Sequence, residues 1–305
     1  MPTLRIERRY TMKVFVTGAT GFVGRHIVEL LLEKGHTVRI LTHRAVINES
    51  WNHQKVECVT GDVGNAESLR GQLAGSDAVI HLVGIIVESG ENTFERVHFQ
   101  GARNLLAEAV RAGASRFVHM SALGSRNSAA SCYHITKFMA EKLVEEAPIA
   151  QTIFRPSVIF GKGDEFTKQI ANVIRYSPIV PVIQTNSGRL QPVSVNEVAH
   201  CFVDCLERVE TFYQTYELGG PATYTLRELM ETFTTIMGKK RVFLPVPAAL
   251  MAWPAMLMER LPLKPPITLD QLRMIGEDNT CNVVRTQQTF GVPKIRLEDW
   301  LKVEG

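Results

Sequence analysis

Short apolar, β-branched runs punctuate the first half of the chain at 14–17, 37–42, 56–60, 78–83 and 117–121. Between them lie stretches with helical spacing at 22–34, 66–73, 94–111 and 131–146. An unbroken apolar run, as opposed to an alternating one, marks a strand covered on both faces. Such strands separated by amphipathic helices predict βαβ units, hence an α/β fold with a doubly wound parallel sheet of the Rossmann kind. After Pro148 the pattern loosens, with a strand at 152–155, helices at 166–176, 195–208 and 226–237, and more Pro and Gly. This predicts a first, doubly wound domain over 12–160. A mixed C-terminal region follows over 161–305, mostly a smaller substrate lobe, with chain returning to the sheet.

Composition changes the picture mainly by exclusion. The 305 residues carry 34 basic and 31 acidic side chains, a net charge of +3, with no basic stripe, so nucleic acid is not an expected partner. Five cysteines in a chain this long do not make a disulfide framework and point to a reducing, cytoplasmic setting. Cys201 and Cys205, at i,i+4 beside His200, read as a packed helix face, and no metal site is expected. Residues 1–11 contain Arg5, Arg8 and Arg9 but no apolar core, and read as a short extension rather than a signal peptide. One stretch, 242–258 (VFLPVPAALMAWPAMLM), has no charge, with Lys239, Lys240 and Arg241 before it and Arg260 after it. Pro245, Pro247 and Pro254 argue against a membrane span, leaving an interfacial helix, ordinary core or the lid of an apolar pocket.

The chemistry begins at Thr17-Gly18-Ala19-Thr20-Gly21-Phe22-Val23-Gly24, between the first predicted strand and helix. Gly18 would make the tight turn, Gly21 would let the backbone approach a pyrophosphate, and Gly24 would let helix and strand pack closely. The free amides of the helix start would face the anion. The second strand ends in Thr42-His43-Arg44, and the first carboxylate after it is Glu49. An NAD site wants an acidic residue here for the ribose. Arg44, assisted by His43, instead suits a 2′-phosphate, so NADP(H) is expected over NAD(H). Tyr133 and Lys137 form a YxxxK on the helix after the fifth strand, phenol and ammonium on one face. A nearby cation should lower the tyrosine pKa and fit it for proton transfer at a carbonyl or carbinol oxygen.

With Gly61-Asp62-Val63, His81-Leu82-Val83-Gly84 and the YxxxK added to the glycine loop, the chain resembles the extended and atypical short-chain dehydrogenase/reductases, including the epimerase/dehydratase-like members. Ser121-Ala122-Leu123-Gly124, Arg155-Pro156-Ser157-Val158-Ile159-Phe160-Gly161 and Gln191-Pro192-Val193-Ser194-Val195 are similar to the atypical branch holding the NADPH-binding accessory subunit of complex I and its bacterial relatives. The resemblance implies that Asp62 and Val63 meet the adenine. His81, Leu82, Val83 and Gly84 would line the adenosine ribose and pyrophosphate, and Pro156, Ser157 and Val158 would lie by the nicotinamide. Tyr133 and Lys137 match the catalytic pair. Two departures stand out. The catalytic serine position falls on Ala122, leaving Ser121 as the candidate polariser, and His98 stands where relatives often carry Asn. His98 reads as a packed or ribose-side residue rather than an acid–base.

Two functions follow. One is an NADP-dependent oxidoreductase on a hydrophobic carbonyl or quinone-like substrate. The other is a non-catalytic NADPH-binding protein attached to a respiratory or quinone-synthesis complex, peripheral at the inner face of the membrane.

Overall fold

Val14, Phe15 and Val16 are wholly buried in the first strand, and their side chains divide between two layers. Val14 and Val16 pack with Ile27, Val28 and Leu31, while Phe15 packs with Leu105, Leu106, Ala109 and Val144. Alternation across a strand buried on both faces explains this division. Each such side chain taken from water contributes roughly 1.5–3 kcal/mol.

The computed structural model describes residues 11–43, 51, 55–184, 188–259 and 267–304. Its first half supplies β1 (Lys13–Thr17), β2 (Thr37–Thr42), β3 (Val56–Thr60), β4 (Ala78–His81), β5 (Arg116–Met120) and β6 (Ala150–Pro156). Helices α1 (Phe22–Glu33), α2 (Ala66–Leu69), α3 (Gly101–Arg111) and α4 (Cys132–Glu146) connect them. The second half adds β7 (Ile159–Phe160), α5 (Glu165–Tyr176), β8 (Ile179–Gln184), β9 (Arg189–Leu190), β10 (Val193–Ser194) and α6 (Val195–Asp204). Then come β11 (Gln214–Leu218), β12 (Tyr224–Thr225), α7 (Leu226–Ile236), β13 (Val242–Pro247) and α8 (Ala248–Glu259). The described chain ends with α9 (Leu269–Gly276), α10 (Val284–Phe290) and α11 (Leu297–Glu304).

The main sheet has seven strands in the order β11-β6-β5-β4-β1-β2-β3, every pair parallel. The strand order reverses between β1 and β4. The crevice at the carboxyl ends of those two strands is where open α/β sheets place their ligands. β11 is the returning strand, paired with β6. Beneath it, Arg116 is buried with Ala150 O, Cys205 O and the hydroxyls of Thr152 and Thr211 as acceptors. That buried cation ties β5 and β6 to the end of α6. The smaller lobe has its own core of Phe160, Ile170, Ile174, Val180, Val182, Leu229 and Phe233.

Two helices differ from expectation. The helix predicted at 66–73 stops at Leu69 and is followed by Gly71 in the left-handed region (φ 78°). The helix predicted at 94–111 is two pieces, a π-helical turn (Glu95–Gln100) and then α3. The wider turn carries His98, which is buried. The apolar stretch at 242–258 is also two elements, the strand β13 and the helix α8.

Candidate active site

The glycine loop is bare backbone by necessity. Gly18 has φ 72°, and a Cβ there would lie 3.2 Å from both Leu82 C and Val83 N. A Cβ on Gly24 would lie 2.1 Å from Gly18 O and 2.7 Å from Ala19 Cα, a distance no side chain tolerates. Gly21 is exposed, and its N–H donates to Gly18 O at 3.0 Å. No side chain caps α1, and its first turn has no carboxylate, so its leading amides and positive dipole end are free for an anion. Thr20 is exposed beside them, Phe22 is half-buried and Val23 is buried in the core. This cradle fits the pyrophosphate of a dinucleotide.

The loop is joined to the YxxxK helix through the chain after β4. Gly18 abuts Val83, and Gly84 abuts Lys137, whose Nζ would lie 2.9 Å from a Cβ on Gly84. Lys137 is buried and donates to Met120 O at 3.0 Å. Burial pulls its pKa down to about 8, against the raising pull of Glu141 one turn further along α4. Glu141 is itself buried and forked onto Arg155, 2.9 Å from Nε and 2.5 Å from Nη2. Tyr133, Lys137 and Glu141 thus stand at i, i+4 and i+8 on one helix face.

Tyr133 occupies the first turn of α4, after the N-cap Ser131. Its ring meets Phe94, His98 and His134 edge-on, with centroids 6.0, 5.3 and 5.2 Å away. The expected lowering of its pKa is not what the structure gives. Burial pushes the phenol up to about 12, because the ring cluster strips water from it. His98 is packed, as its residue type suggested. Thr136 Oγ1 donates to Cys132 O at 2.9 Å, which leaves it to accept from His98 Nδ1 at 3.0 Å. His98 Nε2 then accepts the Ile85 N–H at 3.0 Å. Burial, with the cation of Lys137 adding to it, pushes His98 down to about 2, so the ring is neutral and holds the backbone beside Gly84 in place.

Other predicted residues fall into place unevenly. The His81 ring does not line the crevice. It is buried in the sheet, bonded through Nδ1 to Thr17 Oγ1 at 2.7 Å and 5.3 Å from His119 between ring centroids. It ends β4, so its side chain stays within the layer and burial lowers its pKa to about 3. What faces outward here is the chain at half-buried Val83 and exposed Gly84; Leu82 is buried. Asp62 holds Arg96 at 2.6 Å and accepts from Gly64 N–H at 2.8 Å, while Val63 packs against Gly101. His43 is exposed at the end of β2, and Arg44 lies outside the described residues. Ser121 is buried, and its hydroxyl hydrogen goes to Ser125 Oγ at 3.2 Å. Pro156 is buried, and Leu123 N–H donates to its carbonyl at 2.9 Å. Ser157 donates to Asn279 Oδ1 at 2.5 Å and accepts from Gln191 N–H at 3.3 Å, and Val158 O accepts from Val193 N–H. The two motifs around Ser157 and Gln191 are therefore one joint between sheet and lobe.

The lobe residues that reach the tyrosine were not singled out from sequence. Asp270, on α9, accepts from Cys132 N–H at 2.7 Å and Tyr133 N–H at 3.1 Å. Glu277, just after α9, accepts from Ala130 N–H and from Arg126, each at 2.8 Å. Asn279 donates to Leu123 O at 3.1 Å. A carboxylate at a helix start is favoured by the dipole and by the unpaired amides. The only local signal was the Thr268-x-x-Gln271 capping box that starts α9. Ser125, hydroxyl to hydroxyl with Ser121, was likewise missed.

A family model described as NAD dependent epimerase/dehydratase family matches residues 14–219. The chain belongs to that family. Its members bind nicotinamide dinucleotides, which agrees with the cradle at Gly18–Gly24. It is 35% identical over 245 residues to a ceramide reductase of Caulobacter vibrioides, covering 78% of this chain and 75% of that protein. It is 30% identical over 300 residues to the mitochondrial NADH dehydrogenase [ubiquinone] 1 alpha subcomplex subunit 9 of Arabidopsis thaliana, covering 91% and 73%. Among solved structures, the Bordetella bronchiseptica enzyme WbmH in complex with NAD+ superposes with a TM-score of 0.72 at 20% identity, covering 96% of each chain. That likeness speaks for the fold.

Proposed function

We propose that this chain is an NADP(H)-dependent reductase acting on a carbonyl of an apolar, lipid-like molecule of the ceramide or quinone kind. The observation that carries the reading is the contact series from Gly18 through Val83 and Gly84 to Lys137, with Tyr133 one helical turn away. It brings the glycine loop next to the helix that bears Tyr133, which supports a cradle and a proton donor acting on one ligand. Gly18, Thr20, Gly21, Phe22, Val23 and Gly24 would hold the pyrophosphate, with Asp62 and Val63 at the adenine and Pro156–Val158 at the nicotinamide end. The absence of a carboxylate between Thr42 and Glu49, with His43 and Arg44 in its place, supports a 2′-phosphate. The dinucleotide supplies the hydride when bound. Tyr133, protonated at neutral pH with its pKa near 12, serves as the acid for the carbonyl oxygen, which suits reduction better than oxidation. Lys137 carries the balancing charge and Ser121, with Ser125, polarises the carbonyl. The similarity to a ceramide reductase supports the lipid-like substrate.

The test is single-turnover hydride transfer from NADPH and from NADH to a long-chain ketone of the ceramide type and to a short-chain quinone. Transfer from NADPH that is lost in Tyr133→Phe supports the reading. Transfer that survives in that variant, or a purified chain with no affinity for either dinucleotide, overturns it. A second reading, a non-catalytic NADPH-binding accessory protein of a respiratory or quinone-synthesis complex, is favoured by one observation. Ala122 follows Ser121, and the Ser121 hydroxyl is turned to Ser125. Tight NADPH binding with no turnover, together with co-sedimentation with such a complex, would decide for it.

A further inference from the structure

Residues 170–184 and 232–258 contain four cations, Arg175, Lys239, Lys240 and Arg241, and no carboxylate, although the chain as a whole is nearly balanced. The fold brings the two stretches together. β8 and β13 pair in parallel, with Ile179 beside Val242, Pro181 beside Leu244 and Ile183 beside Val246. Alternation puts these six apolar side chains on one face of the ribbon. On the other face, Val180 and Val182 are buried and Phe243 packs on the lobe core, so the ribbon is anchored from beneath. The outer face is open: Ile179 is 51% exposed, Val242 65% and Leu244 52%. Leu250 at the start of α8 (65%) and Tyr176 at the end of α5 (77%), next to the ribbon in sequence, are exposed as well. Contiguous large apolar side chains are uncommon on a surface that meets only water.

The rim says what covers this face. Arg241 is fixed at the end of α5, donating to Ile174 O at 2.6 Å and Arg175 O at 3.2 Å. Lys239, Lys240 and Arg175 are exposed around it. An apolar face edged by cations, with an exposed tyrosine and no carboxylate in either stretch, complements an anionic lipid surface. No helix among the described residues is long and apolar enough to cross a membrane.

We propose that the outer face of the β8–β13 ribbon, with the start of α8 beside it, docks the protein on an anionic phospholipid bilayer without spanning it. α8 packs beside α9, the helix that holds the first turn of α4, so the docked lobe is also the one braced against the reactive tyrosine. The proposal does not rest on the reductase reading, and its test involves no turnover.

The test is flotation of the full chain with vesicles of phosphatidylcholine alone and of equal parts phosphatidylcholine and phosphatidylglycerol. Binding should require the anionic lipid and weaken with salt. The Val242→Asp, Leu244→Asp double variant should lower the bound fraction about tenfold or more. Lys239→Gln and Lys240→Gln should each lower affinity about fivefold. All three variants should keep the native melting temperature and dinucleotide affinity. A native chain that floats with neither composition overturns the proposal, as does an aspartate variant that stays folded and floats like the native protein. A concentration-dependent dimer abolished by the same aspartates, with no vesicle binding, would assign the face to a second copy instead.

Discussion

The nucleotide half and the C-terminal lobe place their functional groups by opposite means. Around β1 the placement is done by backbone and by missing side chains: Gly18 and Gly24 leave no room for a Cβ, and α1 begins without a capping side chain. In the lobe it is done by side chains reaching far along the sequence. Asp270 meets Tyr133 N–H across 137 residues, and Ser157 meets Asn279 across 122. Backbone placement depends on short-range steric rules. Placement by distant side chains depends on the whole tertiary structure.

The contrast can be broken most severely at Gly24. Gly24→Ala forces a carbon to 2.1 Å from Gly18 O, so dinucleotide binding should be lost and stability should fall by more than overpacking's ordinary cost of about 1–3 kcal/mol. Gly21→Ala, whose Cβ would sit 3.2 Å from the same oxygen, should cost far less stability. Calorimetry on both variants checks the pair. Next comes Tyr133→Phe, which should reduce hydride transfer about 100- to 10,000-fold while leaving dinucleotide affinity within about twofold. Stopped-flow and equilibrium titration separate the two effects.

Asp270→Asn is the sharper probe of the lobe. It keeps the shape but removes the charge at the start of α4, so stability should fall by about 1 kcal/mol. If Asp270 positions Tyr133, kcat should fall about tenfold with dinucleotide affinity unchanged. An unaltered kcat would reduce the carboxylate to a purely structural cap. The last probe is the pH dependence of Lys137, which leaves dinucleotide placement untouched and is read only as stability. Its folded pKa, about 8, lies below its ordinary 10.5, so between pH 8 and 10 the unfolded chain binds the extra proton and stability rises with pH. The rise should be about 2 kcal/mol and absent in Lys137→Met. Denaturant midpoints across that window provide the measurement. Above pH 10 the raised Tyr133 pKa acts in the opposite sense, since the unfolded phenol loses its proton first.

What could be read from residues follows the same division. The sheet half was readable because its strands are continuous apolar runs and its loop obeys a steric rule that glycine alone satisfies. His98 was readable as a packed or ribose-side residue rather than an acid–base, and the structure buries it. The Tyr133 pKa was misjudged because sequence spacing shows a nearby lysine but not the desolvation from Phe94, His98 and His134 around the ring. The burial of the His81 ring could not be read, since a motif at a strand end does not say whether its first residue still lies within the layer. Asp270, Glu277 and Asn279 were unreadable because nothing near them in sequence refers to α4. The 242–258 stretch was visible as unusual, but its pairing with β8 was not. Parallel pairing across so long a connection has no local signature.

The amides of Cys132 and Tyr133 end on a carboxylate supplied from beyond residue 268. During synthesis, the dinucleotide cradle can close as soon as β4 has joined β1. The turn that bears Tyr133 waits for nearly the whole polypeptide to emerge. A nascent or truncated chain ending before Asp270 would therefore own a finished coenzyme seat beside a helix whose leading amides lack their anchor.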